Sequence, residues 1–92
     1  MNKRIVNIFK ALADETRVDI LRRLSHKKEL SCQELAGSFS LSQPTLSHHF
    51  NKLISANILS ARKEGSSHIY SINSQFLKTV GINIQKIVAH NA

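Results

Sequence analysis

Pro44, Ser47, His48, Asn51 and Lys52 crowd one side of a run, Leu41 to Leu53, whose other side is apolar. Leu46, Phe50, Leu53 and Ile54 recur at i, i+4, i+7 and i+8, the spacing of a single helical stripe. At about 100° per residue the polar group falls opposite that stripe, with Thr45 on its flank and His49 nearer the buried edge. A face built only for solvent would carry Glu and Lys pairs. This one carries hydroxyls, amides and imidazoles, which donate to and accept from base edges and phosphates in a major groove. Ser42 is placed to cap the helix by accepting a backbone N–H, and Pro44 fits the first turn, where its missing N–H does no harm. The segment reads as a DNA recognition helix.

Other elements must hold that helix in place. Ile5, Val6, Ile8, Phe9 and Leu12 mark a first helix. Asp14 caps a second, striped by Val18, Leu21 and Leu24, with acids at its positive end and Arg22, Arg23, Lys27 and Lys28 near its negative end. Ser31-Cys32-Gln33-Glu34 has the capping-box form, so a short third helix is expected to begin at Cys32 and end near Phe39. The tight turn Ser40-Leu41-Ser42 then makes a helix-turn-helix with the recognition segment. After Asn57 the period changes. Ile58 to Lys63 and Ser67 to Ile72 read as two strands of a hairpin around Gly65, with Arg62, Lys63 and His68 flanking its tip. Arg62 and Lys63 are expected on phosphates or in a minor groove. From Ser74 a last helix of about four turns is expected, carrying Phe76, Leu77, Val80, Ile84, Ile87 and Val88. The expected architecture is therefore mainly α with a small β-hairpin wing: a winged helix-turn-helix of five helices and a two-stranded wing, in one domain.

Charge and size agree with this reading. The chain has 92 residues, 41% of them hydrophobic, and 13 Lys plus Arg against 6 Asp plus Glu, for a formal net charge of +7. Such an excess favours a polyanion, through phosphate neutralisation and counterion release. A domain this small has a thin core, and a dimer would bury more. The apolar content of the first and last helices exceeds what one such domain covers, so Ile5, Ile8, Phe9, Phe76, Val80, Ile84, Ile87 and Val88 are assigned to a dimer interface. No segment has the length or apolarity of a membrane span or secretory leader, and one cysteine cannot form an internal disulfide. A cytoplasmic location is expected.

Taken together, Phe9-Lys10-Ala11-Leu12-Ala13-Asp14-Glu15-Thr16-Arg17, Ile20-Leu21, Glu34-Leu35-Ala36, Ser42 to His49 and the wing ending Tyr70-Ser71-Ile72 resemble the ArsR/SmtB family of winged-helix transcriptional regulators. The resemblance runs from about Ile5 to Ile72. It implies a homodimer, joined through its first and last helices, that binds a palindromic operator in double-stranded DNA, usually represses, and releases DNA when an effector binds. Carried over by position, it makes Gln43, Pro44, Thr45, Ser47 and His48 base-reading candidates, with His49 divided between base contact and packing or phosphate contact. Asn51 lies on the same face, and Lys52, Arg62, Lys63 and Arg17 are expected on phosphates.

Many relatives sense metals, and one family pattern places two cysteines as E-L-C-x-C-D-L. Here Glu29 to Leu35 puts Ser31 and Gln33 at the cysteine positions and Cys32 between them. One thiolate cannot supply the three or four soft ligands of such a site. A second pattern uses Asp and His pairs on the last helix, which here has only His90. No metal or cofactor is expected, leaving a protein or small-molecule effector. Cys32 is read as a free structural cysteine, with a dipole-activated redox thiol as the less favoured reading. Scattered histidines, isolated glycines and the lack of an acid pair give no catalytic motif, so no enzyme is expected. The competing function is a winged helix that binds protein instead of DNA, a role that tends to make the recognition face acidic or apolar.

Overall fold

The computed structural model describes residues 3–89, with side chains described to Val88. Its elements run α1 (Lys3–Leu12), α2 (Glu15–His26), β1 (Leu30–Ser31), α3 (Cys32–Ala36), α4 (Gln43–Ser55), β2 (Leu59–Glu64), β3 (Ser67–Ile72), α5 (Ser74–Thr79) and α6 (Ile84–Ala89). This is the expected winged helix-turn-helix, mainly helical with a small antiparallel sheet, although the count of elements differs.

Local hydrogen bonds set the helix starts. Asp14 accepts from the Arg17 N–H at 3.0 Å and begins α2. Ser31 and Glu34 form the reciprocal capping box of α3, with Ser31 Oγ accepting at 3.0 Å and Glu34 Oε1 accepting at 2.9 Å. Ser42 accepts from the Thr45 N–H and starts α4. At the far end of α4, Asn57 takes a left-handed φ of 63°, and Ile58 N–H returns to Leu53 O at 2.9 Å. That is a Schellman stop with Asn in place of Gly.

The last helix departs from expectation. It is two helices, because Gly81 adopts φ 84°, its N–H bonds to Lys78 O, and Ile82 N–H bonds to Leu77 O at 2.8 Å. A second Schellman motif thus ends α5, and Asn83 caps α6 through the Lys86 N–H. The third helix also stops early, at Ala36 instead of near Phe39, with Gly37 as its C-cap. The wing gains a strand: β1 pairs with β3, giving the order β1-β3-β2, and the hairpin turns on Gly65 at φ 61°.

The core gathers residues from every helix and from β2 and β3, including Ile20, Leu21, Leu35, Leu46, Phe50, Leu53, Ile58, Leu59 and Leu77. Three residues assigned to a dimer interface belong to this core. Ile8 is 0% exposed, and Ile84 and Val88 are each 1% exposed, so they are already covered by their own chain. For Ile84 and Val88 the α2–α6 packing explains this, since the turn at Gly81 folds α6 back onto the body, and Ile8 is covered where α1 packs on α2 and α4. Ile5, Phe76 and Val80 are half-buried, whereas Phe9 and Ile87 stay 61% and 51% exposed.

Candidate nucleic-acid interface

Helix α4 presents the two faces that its sequence requires. Leu46, Phe50 and Leu53 are buried, while Gln43, Pro44, Thr45, Ser47, His48, Asn51 and Lys52 are exposed. No acid occurs anywhere in α4. Thr45 Oγ1 takes a 2.9 Å hydrogen bond from Ser42 Oγ, which orders the hydroxyls at the helix start. Ser47, His48 and Asn51, with Gln43 exposed at the helix start, thus form a row of donors and acceptors on a helix whose opposite side is locked into the core. Such a row suits reading of base edges, and Lys52 adds a cation for a phosphate.

His49 takes a different part. Its ring sits at 13% side-chain exposure, with Nδ1 3.2 Å from Arg17 Nη1 and 3.8 Å from Asp14 Oδ1. Arg17, at 12% side-chain exposure, donates from Nε to Ala11 O at 2.6 Å and reaches Lys10 O at 3.5 Å. Both residues therefore join the end of α1, the start of α2 and the middle of α4. Arg17 is a brace instead of the phosphate ligand expected from sequence, and His49 packs against it. Partial burial works against ionisation of Asp14, but the Arg17 N–H, the Arg17 guanidinium and His49 outweigh it and hold the carboxyl below its ordinary value.

A second brace links α4 to the wing. Phe50 stacks on Tyr70 of β3, with ring centroids 4.3 Å apart. Burial, with Cys32 beside it, pushes the Tyr70 phenol up. Asn73 closes the base of the hairpin: its amide donates to Asn57 O at 3.0 Å, and its carbonyl accepts from Ser60.

The two wing cations are not equivalent. Arg62 hydrogen-bonds both Glu29, with Nη2 to Oε1 at 3.0 Å, and Glu64, with Nε to Oε2 at 2.8 Å. These contacts raise Arg62 above its ordinary pKa and hold Glu29 below its own. Lys63 pairs in register with His68, and Ala61 with Tyr70. By two-residue alternation, Lys63 and His68 share the face that Tyr70 turns toward Phe50, while Arg62 faces the other way. His68 thus shares its face of the wing with Lys63, and the register separates both from Arg62.

The helix-turn-helix domain model matches residues 12–60. The arsenical resistance operon repressor of Staphylococcus xylosus is 38% identical over 92% of this chain and 81% of its own length. The transcriptional repressor SdpR of Bacillus subtilis is 36% identical over 78% of this chain and 79% of its own. The chain belongs to the ArsR/SmtB family. Among solved structures, the transcriptional regulator HlyU from Vibrio vulnificus superposes with a TM-score of 0.75 at 31% identity, covering 98% of this chain and 90% of the other. In this ArsR/SmtB chain Ser31, at one of the cysteine positions, is occupied in capping α3, and Cys32 is a half-buried free thiol. Among the described residues no three His, Cys, Asp or Glu side chains converge where a metal ion could sit. His90 lies outside the described residues. No helix among them is long and apolar enough to cross a membrane.

Proposed function

We propose that this chain is a sequence-specific DNA-binding transcriptional repressor, acting as a homodimer on a palindromic operator in the cytoplasm and released by a non-metal effector or a protein partner. The observation that carries the reading is the acid-free polar face of α4, held by Phe50 on Tyr70 and by Arg17 against His49. Gln43, Pro44, Thr45, Ser47, His48 and Asn51 read bases, while Lys52 and Lys63 bind phosphates. Phe9 and Ile87, both exposed and apolar, are the residues offered to a second subunit. The repressor names of the relatives support the sign of regulation. Release by a soft metal is disfavoured because Ser31 and Gln33 stand where a cysteine pair would be needed.

Selection of the purified protein on random-sequence duplexes tests the reading. It should enrich an inverted repeat whose half-site centres lie about 34 Å apart, one helical turn. Adding arsenite, cadmium or zinc ions should leave the complex intact. A pool that stays unenriched, from protein shown to be folded, overturns the reading and leaves a protein-binding winged helix.

A further inference from the structure

We propose that the seam between α1 and the carboxy-terminal half of α4 is a second phosphate-binding track for the DNA backbone, formed by Lys3, Asn7 and Lys10 with Lys52. The proposal rests on the DNA-binding reading and extends it from the polar face of α4 to the adjoining flank of α1.

Helix α1 has three sides. Ile8 and Ala11 face the core, and Ile5, Val6 and Phe9 lie along one flank. Lys3, Asn7 and Lys10 are spaced i, i+4 and i+7 along the other flank, and all three are exposed. That flank borders α4 across two adjoining grooves. One lies between Asn7 and Lys10 on one side and Lys52 and Ser55 on the other. The next continues from Asn7 past Ser55 to Lys3 and Asn57. Lys52 belongs to both the exposed face of α4 and this seam, so the track is continuous with the recognition surface.

Charge separates this seam from the other grooves of the molecule. No carboxylate lines either groove. The hollow at the start of α2 holds Asp14, Glu15 and Asp19, and the one beside the wing holds Glu29, Glu34 and Glu64. Those are all six acids of the chain. Among the described residues, the ion pairs engage Arg17, Arg22, Arg23, His49 and Arg62, and none involves Lys3, Lys10 or Lys52. Helix stability does not account for Lys3 either, because the first turn of α1 has no acid and the helix dipole repels cations there. Three unpaired ammonium groups around a neutral amide and a hydroxyl fit a row of phosphodiesters, which lack base information and demand only charge and hydrogen-bond donors. A duplex gripped by α4 in its major groove carries such a row on each side of that groove.

The test compares the salt dependence of binding to a 30-base-pair random duplex and to the duplex enriched by selection. The K3Q/K10Q double variant keeps helix propensity. It should weaken binding to both duplexes by the same factor, and the log–log salt slope should shrink by about 0.9 for each phosphate that is no longer neutralised. Asn7→Glu, which puts a carboxylate between the lysines, should weaken both at least as much. Removing the same charge from α5 and α6, as K78Q/K86Q, should leave the slope unchanged. An unchanged slope for K3Q/K10Q, or an equal drop for K78Q/K86Q, overturns the track while the DNA-binding reading stands. Failure of the unmodified protein to bind either duplex overturns both.

Discussion

Arg17 Nη1 lies 3.2 Å from Nδ1 of His49, across 32 residues of sequence. A guanidinium has only donors, so Arg17 can only donate in this contact. The same side chain donates to Ala11 O at 2.6 Å. One arginine thus sets the angle between α1 and the recognition helix.

Removing it should loosen that angle without touching DNA. Arg17→Ala is expected to cost about 1.5–3 kcal/mol in urea unfolding, the range for a charge-assisted hydrogen bond whose acceptors are left partly buried. Arg17→Lys should recover little, because an ammonium cannot serve carbonyl and imidazole acceptors in the fixed geometry of the planar fork. The salt slope of DNA binding by whatever folded protein remains should match the unmodified chain.

Asp14 gives a pH signature. Its folded-state carboxyl titrates below the ordinary value of 3.8. The ionised form therefore adds stability that is fully present above that value and is lost as pH falls through the lower folded-state value. Urea midpoints measured from pH 6 down to pH 2 should fall for the unmodified chain below about pH 4. Asp14→Asn keeps a cap but cannot titrate, so it should flatten that part of the curve. Asp14→Ala should cost about 1 kcal/mol at neutral pH.

Glu29 holds the Arg62 guanidinium at the wing. Glu29→Gln removes one of the two carboxylates on that guanidinium. Affinity for random duplex should rise and the salt slope should steepen, whereas Lys63→Ala should lower both. Equal slopes for Glu29→Gln and the unmodified chain would show that Arg62 stays on Glu64 regardless.

Adjacent residues on α1 should behave oppositely. Ile8 is buried in its own chain and Phe9 is exposed. Ile8→Ala should lose about 2–5 kcal/mol of stability. Phe9→Glu should keep the fold, by circular dichroism, and sediment as a monomer at concentrations where the unmodified chain is a dimer.

Most of the fold was legible where the cause is local. Asp14, the Ser31–Glu34 box and Ser42 start helices through hydrogen bonds within three residues, so the chain announces them. The break after α5 was hidden by an apolar period that runs unbroken from Phe76 to Val88. Gly81 followed by Ile82 was the available signal, as a left-handed stop with its hydrophobic neighbour. Strand β1 is two residues long and exists only through pairing with β3. The apolar stripe of α1 shows that Ile8 is covered but not by what, so period alone does not separate core from interface there. On the candidate site, the polar row of α4 was readable from period alone. The braces were not, since Arg17 to His49 and Arg62 to Glu29 join residues 32 and 33 apart. Side-chain type says that an arginine wants an acceptor, and only the fold says which one it finds.

The reading of sequence by α4 is tested most directly at His48, which is exposed in the middle of its polar face. The measurement is the ratio of affinities for the selected operator and for random duplex, in the unmodified chain and in His48→Ala, at one salt concentration. The ratio is predicted to fall about tenfold or more, the scale of one side chain's hydrogen bonding to a base edge, while random binding stays within about twofold. Equal losses on both duplexes, or no loss on either, would contradict a base-reading α4.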